Sequence, residues 1–230
     1  MKRYAAVASL TLVSLLAACQ KKDKTEEVPA VAATAPAPAA ASATPAATPA
    51  VPPGEQTPEQ QEMAKKKTLL DYSVMEDKYL NDIRAQWATT ARASSVYGDD
   101  ENKPNEHNLA VKATGPTDGN QWTNNSTDKG FDWLETGFAK PVNATEVRAV
   151  ITGGQGVEAI SKVELQDTDG KWNTIWEGMS DVKRDERGNR TWFVRTFDKT
   201  AYKAKGVKVT FANNLQHDYK TIDAVQLVGD

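Results

Sequence analysis

An all-β antiparallel sandwich is the fold class predicted for the C-terminal part of this sequence, and three observations predict it. Between Trp133 and Val228, short runs rich in β-branched and aromatic residues recur with a period of two. Clusters of Gly, Asn and Asp, which favour turns, separate those runs. All six tryptophans and 13 of the 14 glycines lie from Trp87 onward, whereas eight of the 11 prolines lie between Pro29 and Pro58. The hydrophobic core therefore belongs to the C-terminal part, which is long enough to bury one. A formal net charge of -3 gives no general excess of Lys and Arg, which argues against nucleic acid as a partner.

The elements follow in chain order. Met1, Lys2 and Arg3 form a basic start, and Tyr4 to Ala18 is apolar or small, the layout of a secretory signal over residues 1–18. The run is shorter than the roughly 20 residues a spanning helix needs. Leu16-Ala17-Ala18-Cys19 resembles the lipobox of bacterial lipoproteins, which implies acylation of Cys19, the single cysteine. Gln20 follows that cysteine where the inner-membrane retention pattern has Asp. The resemblance thus implies a lipid anchor, with the outer membrane as destination in a Gram-negative cell. With one cysteine, disulfides and multi-cysteine metal clusters are excluded.

Residues 19–58, mostly Ala, Pro, Thr, Val and Ser, lack side chains for a core and read as a disordered tether. Pro58, with Glu59 and Glu62 behind it, is a helix-start signal, so residues 59–86 read as an amphipathic helix. Tyr72, Met75, Tyr79, Ile83 and Trp87 form its apolar stripe. Lys66, Lys67, Asp71, Glu76, Lys78, Asp82 and Arg84 are assigned to the opposite face. The stripe fits packing on the following domain or a protein partner.

Within 87–230, strands are expected at Trp133–Phe138, Thr145–Thr152, Ile160–Asp167, Trp172–Glu177, Thr191–Phe197, Val207–Ala212 and Thr221–Val228. Thr168-Asp169-Gly170 is a hairpin signal. If successive strands alternate in direction, the loops at Gly153 to Glu158, Gly178 to Arg190 and Asn213 to Lys220 share one end with the approach from Gly115 to Asp132. The turns near Lys140, Asp169 and Tyr202 occupy the other end. Long polar loops on a rigid scaffold are where binding is usually placed. Trp122, Arg187, Asn214 and His217 are the candidate ligand-binding residues, offering an aromatic face and planar hydrogen-bonding groups suited to sugars.

Ala93-Ser94-Ser95-Val96-Tyr97-Gly98, Ala113-Thr114-Gly115-Pro116 with Asp118, and Trp133-Leu134-Glu135 resemble the discoidin or coagulation factor 5/8 type C group. Phe138-Ala139-Lys140-Pro141-Val142, Val163 to Trp172 and Ile222 to Leu227 continue the resemblance. It implies a galactose-binding-like jelly-roll sandwich. It also implies a structural Ca2+, for which the matching positions are Asp118, Asn120 and Asp223. No nucleophile elbow or phosphate-cradling loop precedes a helix, and no catalytic residue is assigned. Two functions stay open: a membrane-anchored, non-catalytic module for glycan or envelope material, and a structural or assembly lipoprotein that binds an envelope protein through helix and sandwich.

Overall fold

The computed structural model describes residues 56–127 and 129–230. The signal, Cys19 and nearly all of the tether lie outside them. The elements are helix α1 (Pro58–Leu80) and strands β1 (Ala85–Trp87), β2 (Thr90–Ala93), β3 (Trp122–Thr123), β4 (Phe131–Thr152), β5 (Ile160–Asp167), β6 (Trp172–Glu177), β7 (Arg190–Thr196), β8 (Lys203–Ala212), β9 (Thr221–Ile222) and β10 (Ala224–Gly229). All pairings are antiparallel.

One long strand serves both layers of the sandwich. The register of β4 breaks between Gly137 and Val142, around Pro141, which cannot donate to a ladder. Before the break β4 pairs with β2 and β8, and the first layer runs β2-β4-β8-β5-β6. After it, β4 pairs with β10 and β7, and the second layer runs β1-β10-β4-β7. Alternation turns Leu134, Val207, Val209, Val163 and Leu165 of one layer towards Val147, Ala149, Ile151, Phe193, Val225 and Leu227 of the other, all buried in one cluster. Asp167 Oδ1 accepts the Asp169 and Lys171 N–H groups at the β5-β6 hairpin, and Gly170 takes φ +93°. The sandwich class is observed, but the strands do not all fall as expected: Trp133–Phe138 and Thr145–Thr152 are two stretches of the single strand β4, Thr221–Val228 is interrupted at Asp223 into β9 and β10, and β1, β2 and β3 are additional.

Helix α1 starts as expected. Thr57 Oγ1 accepts the Gln60 N–H, and the Gln60 side chain accepts the Thr57 N–H, a capping box ahead of Pro58. Its end differs from expectation: the helix stops at Leu80, Ile83 is 99% exposed, and Trp87 belongs to β1. The helix and sandwich belong to one compact unit. Tyr72, Met75 and Tyr79 do share a face, and it covers Val150, Trp192 and Ala224 on the outside of the second layer. The stripe thus packs within the chain.

Two groups assigned to the solvent side face the sandwich instead. Glu76 Oε1 accepts from Arg190 Nη1 at 3.2 Å, and Asp82 Oδ2 accepts from Arg148 Nη2 at 2.8 Å. Arg148, buried on the outer face of β4, also donates to Glu146, to Gln226 Oε1 (3.1 Å) and to the Tyr79 carbonyl (3.4 Å). Its guanidinium sits 4.4 Å from the Tyr79 ring centroid. Residues 58–71 are exposed throughout, so the first half of α1 projects beyond this clamp. No helix among the described residues is long and apolar enough to cross a membrane.

Candidate functional site

The loops expected at one end do meet there. Gly153 N–H donates to the Asn189 carbonyl (2.9 Å), Thr221 N–H to Gln155 (3.2 Å) and Asn213 N–H to Gly130 (2.9 Å). Beside the Asn213 loop the end is anchored by Asp132, which is 2% exposed. It accepts hydrogen bonds from Ser94 Oγ (2.7 Å), Ser95 Oγ (3.1 Å), Asn124 Nδ2 (2.7 Å) and Asn213 Nδ2 (2.9 Å), tying four segments together. Burial works to raise the pKa of Asp132, but these four donors outweigh it and hold the carboxyl below the usual range.

Tyr97 and Tyr219 stand on this framework as an edge-to-face pair, with ring centroids 5.4 Å apart. A tight turn positions Tyr97. Gly98 adopts φ +91°, and a Cβ there would lie 2.3 Å from the Lys103 carbonyl oxygen, so only glycine fits. Lys220 secures Tyr219 from the other side: its N–H donates to Asn124 Oδ1 (2.7 Å), and its Nζ to the Gln216 and Asp218 carbonyls (2.6 Å each).

The tyrosine pair divides two hollows. One, about 210 Å3, is lined further by Asn108, Gln121, Thr123, Gln155 and Thr221. The other, about 330 Å3, is lined by Asp100, Glu101, Lys103, Asn105 and Asn125 among others. Gln121 Oε1 is buried without a hydrogen-bond partner among the described residues, which leaves an acceptor at the first hollow. Aromatic faces beside planar amides and carboxylates suit a polyhydroxylated ligand, whose C–H surface stacks while its hydroxyls bond.

The four predicted ligand-binding residues are not gathered on this surface. Trp122 is 0% exposed, its Nε1–H donates to the Ser95 carbonyl (2.9 Å), and its ring packs on Phe211. It is a core residue and presents no face to a ligand. Arg187 is held by Asp185 (2.9 and 2.7 Å) over the Tyr72 ring at the helix junction. Asn214 and His217 are exposed on the loop that carries Tyr219, but neither lines the two hollows. Gln121, Asn125, Gln155 and Tyr219 were within reach of the strand-parity reading. Tyr97 and Asn108 were not, because the segment from Ser94 to Thr114 has no readable period.

The positions matched to calcium hold a different arrangement. Asp118 folds back on Asn120, accepting its N–H and its Nδ2 at 2.8 Å each. Asp223 is 1% exposed and accepts the Asp118 and Gly119 N–H groups at 3.3 and 3.4 Å, with Arg190 Nε 3.7 Å away. Burial raises its pKa. A carboxylate facing two N–H donors and a guanidinium already has its positive partners, so this set does not fit a Ca2+ that needs six to eight oxygens. No group of three or more His, Cys, Asp or Glu among the described residues is placed to hold a metal ion.

No protein-family model matches the chain, and no curated protein matches it. Its structural neighbours are carbohydrate-binding modules of family 32 and related proteins. One is the family 32 module of Clostridium perfringens NanJ in complex with galactose, at 18% identity and TM-score 0.44, covering 62% of this chain and 98% of that one. A second C. perfringens module, in complex with GalNAc-β-1,3-galactose, aligns at 15% identity and TM-score 0.44 over 65% of this chain and 99% of its own. Chitosan-binding module 1 of a Paenibacillus sp. IK-5 chitosanase/glucanase aligns at 16% identity and TM-score 0.44, covering 61% and 94%.

Proposed function

We propose that this protein is a non-catalytic carbohydrate-binding module held at the cell envelope by a lipid on Cys19. The observation that carries the binding half is the Tyr97–Tyr219 pair, set between two polar hollows at the loop end of a rigid sandwich. The modules it resembles in chain path include ones solved with galactose and with GalNAc-β-1,3-galactose, and those sugars are the first ligands to try.

Replacing Tyr97 or Tyr219 by alanine should remove stacking worth on the order of 1 kcal/mol, about a fivefold loss of affinity. Isothermal titration with the two sugars and a glycan array measure this. Unchanged sugar affinity in both variants, or capture of an envelope protein with no glycan bound, replaces this reading with the assembly role.

The anchor half rests on Leu16-Ala17-Ala18-Cys19 behind the basic start. Several acyl chains at about 0.8 kcal/mol per buried methylene hold a protein permanently at a bilayer. Mass spectrometry of the mature protein should find an acylated Cys19 as its first residue. A mature chain beginning at Gln20, or one retaining Met1, excludes the anchor. With Gln20 after the cysteine, the outer membrane of a Gram-negative cell is the proposed location.

A further inference from the structure

The outer face of the first layer, away from α1, carries a groove that the loop-end site does not use. Outward positions of β4 run Phe131, Trp133, Glu135 and Gly137; opposite them on β8 stand Ala212, Thr210, Lys208 and Gly206. Lys208 Nζ lies 5.0 Å from the Trp133 centroid, 5.6 Å from that of Trp172 and 3.3 Å from Glu135 Oε1, so one ammonium bridges two indoles. On one side is a hollow of about 230 Å3 between Trp172, Arg92, Gln166 and Thr90. On the other is one of about 610 Å3 that extends from Trp133 and Lys208 to Phe131, Met179 and Leu215.

Four features describe the occupant. The groove follows β4 from Phe131 to Gly137, about 20 Å at 3.3 Å per residue, which is the shape of a chain rather than a single unit. Its charges balance: Arg92, Lys208 and Lys162 face Glu135, Glu164 and Glu177, with pairs Arg92–Glu135 (2.5 Å), Lys208–Glu135 (3.3 Å) and Lys162–Glu164 (3.3 Å). The complement is an uncharged ligand. Gly137 and Gly206 face each other on its floor, where a Cβ would lie 2.4 Å from Thr90 Oγ1 and 3.2 Å from Gln166 Cβ respectively, so the floor stays low beside Trp172. Thr210, 7% exposed, lines the larger hollow, and its hydroxyl has no hydrogen-bond partner among the described residues.

We propose that this face is a second carbohydrate site, an open groove for the uncharged main chain of a polysaccharide, with Trp133 and Trp172 as stacking platforms. The inference rests on the carbohydrate reading of the loop end and deepens it. Leu215, at one end of the groove, belongs to the loop that carries Tyr219, so a polymer whose terminal unit occupies the tyrosine pair can continue across the sheet.

The test uses the full protein in affinity electrophoresis and titration against neutral galactan, xyloglucan and hydroxyethylcellulose, with alginate as the anionic comparison and galactose as the short one. Trp133→Ala and Trp172→Ala should each weaken neutral-polymer binding about fivefold and leave galactose binding unchanged. Thr210→Val should weaken polymer binding without lowering the unfolding midpoint, a result no structural role of that hydroxyl would give. Galactose binding with polymer affinity unchanged in both tryptophan variants overturns the groove and spares the loop end. So does binding of alginate alone, or concentration-dependent self-association that the tryptophan variants abolish. Absence of any carbohydrate binding overturns both.

Discussion

Arg148→Ala is expected to destabilise the protein by about 3–5 kcal/mol, the range for removing one partner of a buried ion pair. Arg148 is 2% exposed, and its loss would leave Asp82 with only the exposed Arg84 at 3.6 Å and Glu146 with no cation among the described residues, their side chains being 13% and 17% exposed. Burial pushes the Asp82 carboxyl up, and the hydrogen bond from Arg148 is foremost among the interactions that bring it below the usual range. Equilibrium urea denaturation followed by tryptophan fluorescence gives the number. Trp192, packed on Tyr79, and Trp87 in the same cluster report whether α1 leaves first. A loss below about 1 kcal/mol would place Arg148 with solvated surface pairs instead. Arg148→Met, which roughly keeps the volume, should fare nearly as badly, since neither carboxylate regains the buried guanidinium.

Trp122→Ala is expected to cost about 3–5 kcal/mol, as large aromatic truncations in cores do. The indole is fully buried, stacks against Phe211 and satisfies the Ser95 carbonyl. Thermal unfolding should show a sharply lower midpoint in Trp122→Ala and a nearly unchanged one in Tyr219→Ala. A folded Trp122→Ala protein with native stability and lost sugar binding would return Trp122 to the ligand surface.

Trp122 shows where the sequence stops being readable. Its strand β3 has two residues, and a period of two cannot be seen in two residues, so nothing local says which way the ring points. Where strands are long enough the pattern is legible: β5 and β6 occupy Ile160–Asp167 and Trp172–Glu177 as their alternation predicts. The loop end follows from parity once those strands are placed. The tyrosine pair does not, because Tyr97 and Tyr219 are 122 positions apart and meet only through the Asp132 network and the Gly98 turn. The helix end was misread for a related reason. Ile83 and Trp87 continue the stripe in spacing alone, while the helix is capped at Asn81, whose N–H and Nδ2 both bond the Asp77 carbonyl, and Asp82 beyond it is held by Arg148.

The clamp between α1 and the second layer also decides how the protein answers to mechanical load. Tension applied at the N-terminal end of the helix reaches the sandwich through Tyr72, whose hydroxyl donates to the Arg190 carbonyl at 2.9 Å, then Glu76 and then Asp82. Behind these contacts lies β1, with only three residues paired to β10, an edge that would unzip one pair at a time. Contacts met in that order yield one after another, beginning at Tyr72, before the load passes on. The strands that support the binding loops are therefore the last part of the molecule to feel a pull.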